Sequence, residues 1–444
     1  MLDLRYKTIL KVAVPLMVSS FIQSVVMLTD AAFLARLNDN SLSFDANGNA
    51  GLIFITLITS LTGISDGAQI LIARRIGENR PLDVGRIVRT NFLTLAIIGI
   101  LLFCVLHFIM PDVIPSFVYR KELADAEISF LNIRSYALLV AVFNLTFQSF
   151  FYAIGKTWVM LISALIIAFS NIIMDYLFVF GAGFIPKMGL EGAAIASTLA
   201  EVCGMIFLFT FFVFSKEAQT YQVFGKFKLQ IKYFYDLFRI GSPMMMQAFS
   251  GMITWTVFFV WIEQRGGNDL TVSQNLRSIY FLAFIPIWGF AATTKTYISQ
   301  YLGRKDYDAL KTIQNRIILL SILFITLFLH GAFLYPEKLI AIINPEEAHI
   351  AKSAEILQFV ALSIFAYSLA SVKLQTINGS GNTQVTLFIE VISVLIYLGY
   401  GYFMLMVIDT DIFWVWSVEY IYFCSMGIMA LLYMRFFNWK NKTI

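Results

Sequence analysis

The chain has 444 residues, of which 59% are hydrophobic and only 14% are charged, and its net charge is +4. Soluble globular domains carry about 25% charged residues, so this composition excludes a soluble protein and argues against a nucleic-acid-binding one. The mean hydropathy of +0.76 indicates a membrane protein.

Apolar stretches of about 20 residues recur along the whole chain, and each is long enough to cross roughly 30 Å of hydrocarbon as a helix. The strands of a membrane barrel would be shorter and would alternate in polarity, so we predict an all-α polytopic membrane protein. Twelve membrane-spanning helices are predicted, at residues 9–35, 51–73, 88–110, 130–152, 158–181, 190–214, 238–262, 276–302, 314–335, 354–376, 384–408 and 412–436.

Lys and Arg are concentrated at both ends of the chain and in the even-numbered loops. Basic loops stay on the cytoplasmic side of a membrane, so we predict a multi-pass protein of the cytoplasmic (inner) membrane with both termini in the cytoplasm. The opening "MLDLRYKTIL" continues into the first span with no small-residue cleavage site, so no signal peptide is predicted. We expect a monomer in the lipid bilayer.

The first span contains a proline and an acid, Pro15 and Asp30. Proline removes a backbone donor and kinks a helix, so Pro15 is predicted to be a hinge, with a fixed structural kink as the alternative. An ionisable group at bilayer depth costs about 2.5–3.5 kcal/mol on insertion scales, and it faces the protein interior or a water-filled cavity. Asp30 is therefore a candidate functional residue.

The fifth span contains "SNIIMDYLFVF", in which Asn171 and Asp175 are four residues apart and lie on one helix face. Two carboxylates and an amide oxygen are ligands that a hard cation prefers. Two desolvated carboxylates also suit a proton, so the choice between Na⁺ and H⁺ stays open. The alternative is that each aspartate caps or hydrogen-bonds a neighbouring helix.

The sixth span offers two hydroxyl groups to the same cation site, Ser197 and Thr198 in "GAAIAST". The alternative reading of this segment is close helix packing through small residues.

The sequence contains an internal duplication. "IARRIGENRPLDVGRI" resembles "ISQYLGRKDYDALKTI", and "YAIGKTWVMLI" resembles "NGSGNTQVTLF", both at an offset of 226 residues, while "KVAVPLMVSS" resembles "RIGSPMMMQA" at an offset of 228. We predict two six-helix lobes related by a pseudo-two-fold repeat: residues 1–214, a cytoplasmic linker at 215–232, and residues 233–444. Repeats of this kind hold substrate paths near the membrane midplane.

The repeat also limits where the cation site lies. Its offsets place Phe258, Tyr397 and Gly401 at the positions that correspond to Asp30, Asn171 and Asp175. None of these three residues is acidic, so we predict the cation site in the amino-terminal lobe alone. Pro243, which corresponds to Pro15, is predicted to be a second hinge.

Aromatic side chains in the spans are candidates for a substrate cleft, because aromatic faces attract organic cations. The alternative is that these rings face lipid and the membrane interfaces. Lys373 and Glu390 lie on adjacent spans, and they are suggested to pair. The candidate cleft residues are Phe147, Phe151, Trp255, Phe258, Glu263, Tyr280, Trp288, Lys373 and Glu390.

Several of these motifs, in this order, resemble the multidrug and toxic compound extrusion (MATE) family over nearly the whole chain. They are "AVPLM", "LTDAAFLARL", "RRIGENR", "AIGKT", "NIIMDYLFVFGAGFIPKMGLEGAAIAS", "YLGRKD" and "NGSGNT". The resemblance implies a twelve-helix, two-lobed exporter driven by inward flow of Na⁺ or H⁺, with no other cofactor. In that family, bending of the first helix couples ion binding to drug release. A threonine usually ends the "GAAxAT" motif, and Ser197 takes its place here.

We therefore predict a cation-coupled antiporter that exports amphipathic or cationic small organic molecules by alternating access. The alternative is a flippase for lipids or lipid-linked oligosaccharides of the same superfamily, which would need a strongly basic central cavity. An intramembrane aspartyl protease using Asp30 and Asp175 would need a "GxGD" setting, whereas Asp175 lies in "IMDY". We expect no enzymatic activity.

Overall fold

The computed structural model describes residues 2–37, 39, 41–118, 120–181, 183, 185–225, 230–344, 347–442 and 444. The chain forms two compact units, an amino-terminal unit of Val14–Met245 and a carboxy-terminal unit of Met1–Ala13 with Met246–Ile444. The units divide inside two helices, whereas the predicted lobes are separated by the segment 215–232. Residues 226–229 of that segment lie outside the described residues, and the predicted lobe boundaries stay a prediction.

Two long helices cross the unit boundaries, and the other helices up to residue 220 lie within the amino-terminal unit. A π-helical turn at Val105–Ile109 and a 3₁₀ turn at Ile114–Ser116 continue the third helix. The helices are α1 (Tyr6–Leu34), α2 (Leu42–Gly77), α3 (Pro81–Cys104), α4 (Met110–Val113), α5 (Lys121–Ile154), α6 (Trp158–Phe180), α7 (Gly189–Phe214), α8 (Lys216–Thr220) and α9 (Ile231–Arg265).

The carboxy-terminal unit holds the remaining helices. A π-helical turn at Phe403–Val407 and a 3₁₀ turn at Trp439–Asn441 complete its regular structure. Its helices are α10 (Asp269–Ala283), α11 (Ile285–Gly303), α12 (Ala309–Leu334), α13 (Pro336–Ile343), α14 (Glu347–Gly379), α15 (Thr383–Tyr402), α16 (Ile412–Val415) and α17 (Val418–Phe436).

Eleven helical segments of the described chain are long and apolar enough to cross a membrane. A twelfth forms if α10 and α11 are taken as one span, bent by 48° at the break between them. Lipid hydrocarbon offers no hydrogen-bond partners to backbone N–H and C=O groups, and a helix pairs these groups within its own segment. The predicted all-α fold is confirmed, and the eighth predicted span proves to be a broken helix.

The same packing order occurs in both units. In the amino-terminal unit α5 packs against α2, α3 and α7, and α6 packs against α7. In the carboxy-terminal unit α14 packs against α11, α12 and α17, and α15 packs against α17. This correspondence is what a duplicated six-helix unit produces, and it agrees with the repeat read from the sequence.

Helix α9 is held against α2 by close backbone contact within the amino-terminal unit. A Cβ atom added at Gly67 would lie 2.7 Å from the Cα of Gly241, and one added at Gly63 would overlap the backbone of Met245. Small residues allow two membrane helices to approach this closely. These glycines therefore set how closely the backbones of α2 and α9 approach where the two helices cross.

Residues at the start of the chain are built into the carboxy-terminal unit. The Leu2 N–H donates to Gln300 Oε1 at 3.3 Å, and the Tyr301 hydroxyl donates to the Leu2 carbonyl at 3.0 Å. The Tyr297 hydroxyl donates to the Asp3 carbonyl at 3.0 Å. Helix α1 thus begins in one unit and continues in the other.

The two prolines predicted as hinges lie inside the two helices that cross the unit boundaries. Pro15 is in α1 and Pro243 is in α9, each within two residues of a boundary. The Ser19 hydroxyl donates to the Pro15 carbonyl at 2.7 Å. A bending motion at either proline stays a prediction.

Candidate cation site

Helix α6 carries a polar face on an otherwise apolar surface. Asn171 and Asp175 are 1% and 0% exposed, whereas the adjacent residues Ile172, Ile173 and Tyr176 are 37%, 44% and 59% exposed. The spacing of four residues puts the amide and the carboxyl on one face. That face turns into the amino-terminal unit because an apolar surface faces lipid at a far lower cost than a carboxylate does.

A chain of hydrogen bonds connects three helices at this face. Asn171 Nδ2 of α6 donates to Ser197 Oγ of α7 at 3.3 Å, and Ser197 Oγ donates to Asp30 Oδ2 of α1 at 3.3 Å. The Asp175 carboxyl lies beside the Asp30 carboxyl and the Asn171 side chain and interacts with both. The structure therefore brings together Asp30, Asn171, Asp175 and Ser197.

The fifth predicted residue of the site, Thr198, takes different partners. Its hydroxyl donates to the Ala194 carbonyl one helical turn earlier at 2.8 Å, and it accepts from Arg134 Nη1 at 3.4 Å. Of the two hydroxyls left open by the sequence, Ser197 is the one that contacts a carboxylate.

Four oxygen atoms of this cluster are buried without a hydrogen-bond partner in the described structure. They are Asp30 Oδ1, Asn171 Oδ1 and both carboxyl oxygens of Asp175. Buried polar atoms are normally paired, and leaving one unpaired costs about 1–3 kcal/mol. Carboxylate and amide oxygens are the ligands of hard cations, so these four oxygen atoms fit Na⁺. Protonation of one carboxyl group would also supply a hydrogen-bond donor to a cluster that has too many acceptors.

An arginine that the sequence reading did not single out lies next to this cluster. Arg134 of α5 donates through Nη2 to Glu201 Oε1 at 2.8 Å, and its guanidinium lies 4.1 Å above the Phe54 ring. It also interacts electrostatically with Asp30 and Asp175. Its position inside the fourth apolar stretch, in "LNIRSY", is the signal that would have identified it, because charges within spans are functional candidates.

We expect Arg134→Gln to lower the thermal stability of the purified protein, because the side chain of Glu201 then loses its cationic partner. Glu201→Gln should also be destabilising. Residues in one ion pair show coupling energies of about 0.5–3 kcal/mol, so the double variant should lose clearly less than the sum of the two single losses. Melting curves followed by size-exclusion chromatography measure this, and strictly additive losses would contradict it.

The predicted cleft residues of the amino-terminal unit lie in an aromatic cluster. Phe147 and Phe151 are 5% and 0% exposed, and their rings lie 4.9 Å and 6.1 Å from the ring of Phe212. They are packed as core residues in this structure, and a role in substrate binding stays a prediction.

The predicted cleft residues of the carboxy-terminal unit divide by exposure. Phe258 and Tyr280 are buried in the unit's main hydrophobic core, with Trp255 packed against it. Glu263 is exposed, and Trp288 is 38% exposed. A substrate contact by any of these side chains stays a prediction.

The suggested pairing of Lys373 with Glu390 is not what the structure shows. Lys373 Nζ donates to Gln314 Oε1 of α12 at 2.6 Å. Glu390 Oε1 accepts from the Tyr422 hydroxyl of α17 at 2.5 Å. Each group has its partner on a different neighbouring helix, Lys373 on α12 and Glu390 on α17, so the suggested pairing is wrong.

Comparison with known proteins places this geometry in a family. The model of the MatE family matches residues 15–177 and matches a second time at residues 243–403. The chain belongs to the MATE family. The two matches begin 228 residues apart, at Pro15 and Pro243, which is the offset between "KVAVPLMVSS" and "RIGSPMMMQA" in the sequence duplication. The first match contains Asp30, Asn171 and Asp175.

Individual relatives agree with this membership. The probable multidrug resistance protein NorM of Thermotoga maritima is 25% identical over 395 residues, which cover 87% of this chain and 83% of that protein. The MATE fold is also found in a solved outward-facing multidrug resistance MATE transporter, with a TM-score of 0.87, 19% identity and coverage of 97% and 95%. A transporter from Pyrococcus furiosus, described as having a binding pocket of reversed polarity, matches with a TM-score of 0.86, 19% identity and the same coverage.

Proposed function

We propose that this MATE family member is an antiporter in which Na⁺ or H⁺ drives the export of amphipathic or cationic small organic molecules. The observation that carries the coupling is the set of buried, unpaired oxygens of Asp30, Asn171 and Asp175. The substrate class is supported by relatives that are named as probable multidrug resistance proteins.

In the proposed mechanism the cation enters from outside and neutralises the carboxyl groups of Asp30 and Asp175. Asn171 supplies an amide oxygen, and Ser197 holds Asp30 in position through its hydrogen bond. A ligand shifts a conformational equilibrium only by its differential affinity for the two states. The cation therefore favours the arrangement in which α1 and α6 bring both carboxyls together, and α1 carries Pro15 as its hinge.

The proposal includes the predicted placement of the protein, as a monomer in the cytoplasmic membrane with both termini inside. The basic residues at the chain ends and in the even-numbered loops support this orientation. The comparisons give no support to the flippase alternative.

The test uses proteoliposomes of the purified protein loaded with a fluorescent cationic dye. A Na⁺ gradient and a pH gradient are imposed separately, and dye movement is compared with that in protein-free liposomes. We expect one of the two gradients to drive dye transport and its collapse with an ionophore to stop the transport. Dye movement at the protein-free rate under both gradients would overturn the proposal.

A further inference from the structure

A second buried acid lies in the carboxy-terminal unit, away from the residues proposed to bind the coupling cation. Glu419 of α17 is 1% exposed. Its Oε1 accepts from the Tyr397 hydroxyl of α15 at 3.1 Å, and its Oε2 lies 3.0 Å from the Tyr280 hydroxyl of α10. Both carboxyl oxygens are therefore taken by tyrosine hydroxyls.

The two tyrosines that bind this carboxyl group belong to a buried aromatic cluster. The Trp416 ring lies 6.3 Å from the ring of Tyr280 and 5.6 Å from that of Phe258, which in turn lies 5.4 Å from the ring of Tyr397. All four of these rings are 1% exposed or less. An ionised carboxylate in such surroundings is costly unless it is fully hydrogen-bonded.

The hydrogen atoms along the chain of hydroxyls can be counted. Ser363 Oγ of α14 donates to the Val360 carbonyl at 2.7 Å, so its hydrogen is committed. The Tyr280 hydroxyl lies 3.2 Å from Ser363 Oγ and has a single hydrogen. That hydrogen goes either to Glu419 or to Ser363. In the second case, the short contact between Tyr280 and Glu419 is a hydrogen bond only if Glu419 Oε2 itself carries a proton.

We propose that Glu419 is a proton-binding site and that Tyr280 changes its hydrogen-bond acceptor when the site is loaded. In the unloaded state both tyrosines donate to the carboxylate. A proton that arrives from water binds Oε2, which then donates to the Tyr280 oxygen, and the Tyr280 hydrogen turns to Ser363. The chain from Glu419 through Tyr280 and Ser363 to the Val360 carbonyl then has every donor used.

In the described structure, the titratable side chains that interact with Glu419 are tyrosines. Besides Tyr280 of α10 and Tyr397 of α15, Tyr367 of α14 interacts with it electrostatically, and so does Tyr422, which lies on α17 itself. The nearby acid of α15, Glu390, is itself bonded to Tyr422. Neutral hydroxyls stabilise the carboxylate of Glu419 but leave its negative charge in place. A proton cancels that charge, and unlike a metal cation it needs no cavity in the packed interior.

The hydrogen-bonded group of Glu419, Tyr280 and Ser363 lies next to the break between α10 and α11. Tyr280 is in the last turn of α10, just before the 48° bend into α11. When Glu419 is unprotonated, the Tyr280 hydroxyl hydrogen-bonds only to Glu419 of α17. When Glu419 is protonated, the Tyr280 hydroxyl keeps that contact as an acceptor and also donates to Ser363 of α14. Proton loading thus adds a hydrogen bond between α10 and α14 beside the bend. This inference does not rest on the proposed cation coupling at Asp30 and Asp175.

The test is infrared difference spectroscopy of the lipid-reconstituted protein during a pH titration. In the wild type we expect the carbonyl band of a protonated carboxylic acid and a shift of a tyrosine band, with one midpoint for both. Glu419→Gln should lose both changes, whereas the matched variant Glu390→Gln should keep the coupled pair. Ser363→Ala should keep the Glu419 carbonyl band and reduce the tyrosine shift, leaving the part that comes from Tyr397.

Two further variants keep the result interpretable. Tyr280→Phe should reduce the tyrosine shift to the part that comes from Tyr397, which covers the case that Glu419→Gln fails to fold, and an undiminished shift in this variant would overturn the proposal. A double variant of Asp30→Asn and Asp175→Asn should retain the coupled changes, so failure of the antiport proposal is distinguishable from failure of this one. A coupled pair of changes that persists in Glu419→Gln, or a wild type without one, would overturn the proposal.

Discussion

Asp175→Asn is expected to reduce gradient-driven dye transport in proteoliposomes by at least about tenfold. The substitution keeps the size of the side chain and removes the charge of a carboxyl that is 0% exposed and has two unpaired oxygens. In the proposed mechanism this carboxylate and the bound cation form a buried charge pair. Removing one partner of such a pair costs about 2–5 kcal/mol, and 1.4 kcal/mol already corresponds to a tenfold change in affinity. A cation that binds this weakly no longer distinguishes the two states of the transporter.

The matched control is Asp125→Asn on α5, because Asp125 is exposed and lies outside the cation site. It should transport dye at the wild-type rate, and Asp30→Asn should behave like Asp175→Asn. Size-exclusion profiles confirm that each variant is folded before reconstitution. Equal dye transport by the wild type and Asp175→Asn would contradict the role given to this carboxyl.

Gly67→Leu is expected to prevent the accumulation of folded protein. The new Cβ would lie 2.7 Å from the Cα of Gly241 and 2.8 Å from its nitrogen, and both of these are backbone atoms. Overpacking a well-packed interior typically costs about 1–3 kcal/mol and occasionally more. Here the cost is at the upper end, because α2 and α9 cannot separate locally while Gly63 and Met245 stay in contact one turn away.

Gly51→Leu is the matched control for this prediction, since it lies on the same helix and nothing is within 4 Å of an added Cβ atom. Fluorescence-detected size-exclusion chromatography of tagged variants should give a wild-type peak for Gly51→Leu and aggregate for Gly67→Leu. A monodisperse peak of normal height for Gly67→Leu would show that the crossing of α2 and α9 tolerates a wider separation.

The sequence predicted the helical architecture well because hydrocarbon thickness dictates both the length and the polarity of each span. It also predicted which acids of α1 and α6 meet, since a carboxylate at bilayer depth has few places to go. Periodicity does not show which hydroxyl points at a carboxylate, so the choice between Ser197 and Thr198 required the side-chain positions.

Other features were missed for identifiable reasons. Arg134 lies near the start of the predicted span 130–152, where a long cationic side chain commonly reaches the membrane interface, so the sequence pattern did not distinguish it from an ordinary interfacial arginine. The suggested pairing of Lys373 with Glu390 relied on proximity along the chain, and side chains of opposite charge on adjacent helices need not face each other. The break between α10 and α11 has no strong sequence signal, since the proline that follows it, Pro286, also fits the first turn of an ordinary helix.

The binding of Leu2 and Asp3 to α11 sets an order of events during synthesis. The hydrogen bond from the Leu2 N–H to Gln300 joins residues that are 298 positions apart in the chain, and the bond from the Tyr297 hydroxyl to the Asp3 carbonyl joins residues that are 294 positions apart. Residues 2 and 3 leave the ribosome before α11 does, and their partners emerge only after some three hundred further residues have been translated. These two residues must stay accessible during that time, so the carboxy-terminal unit is completed around a segment that was synthesised much earlier.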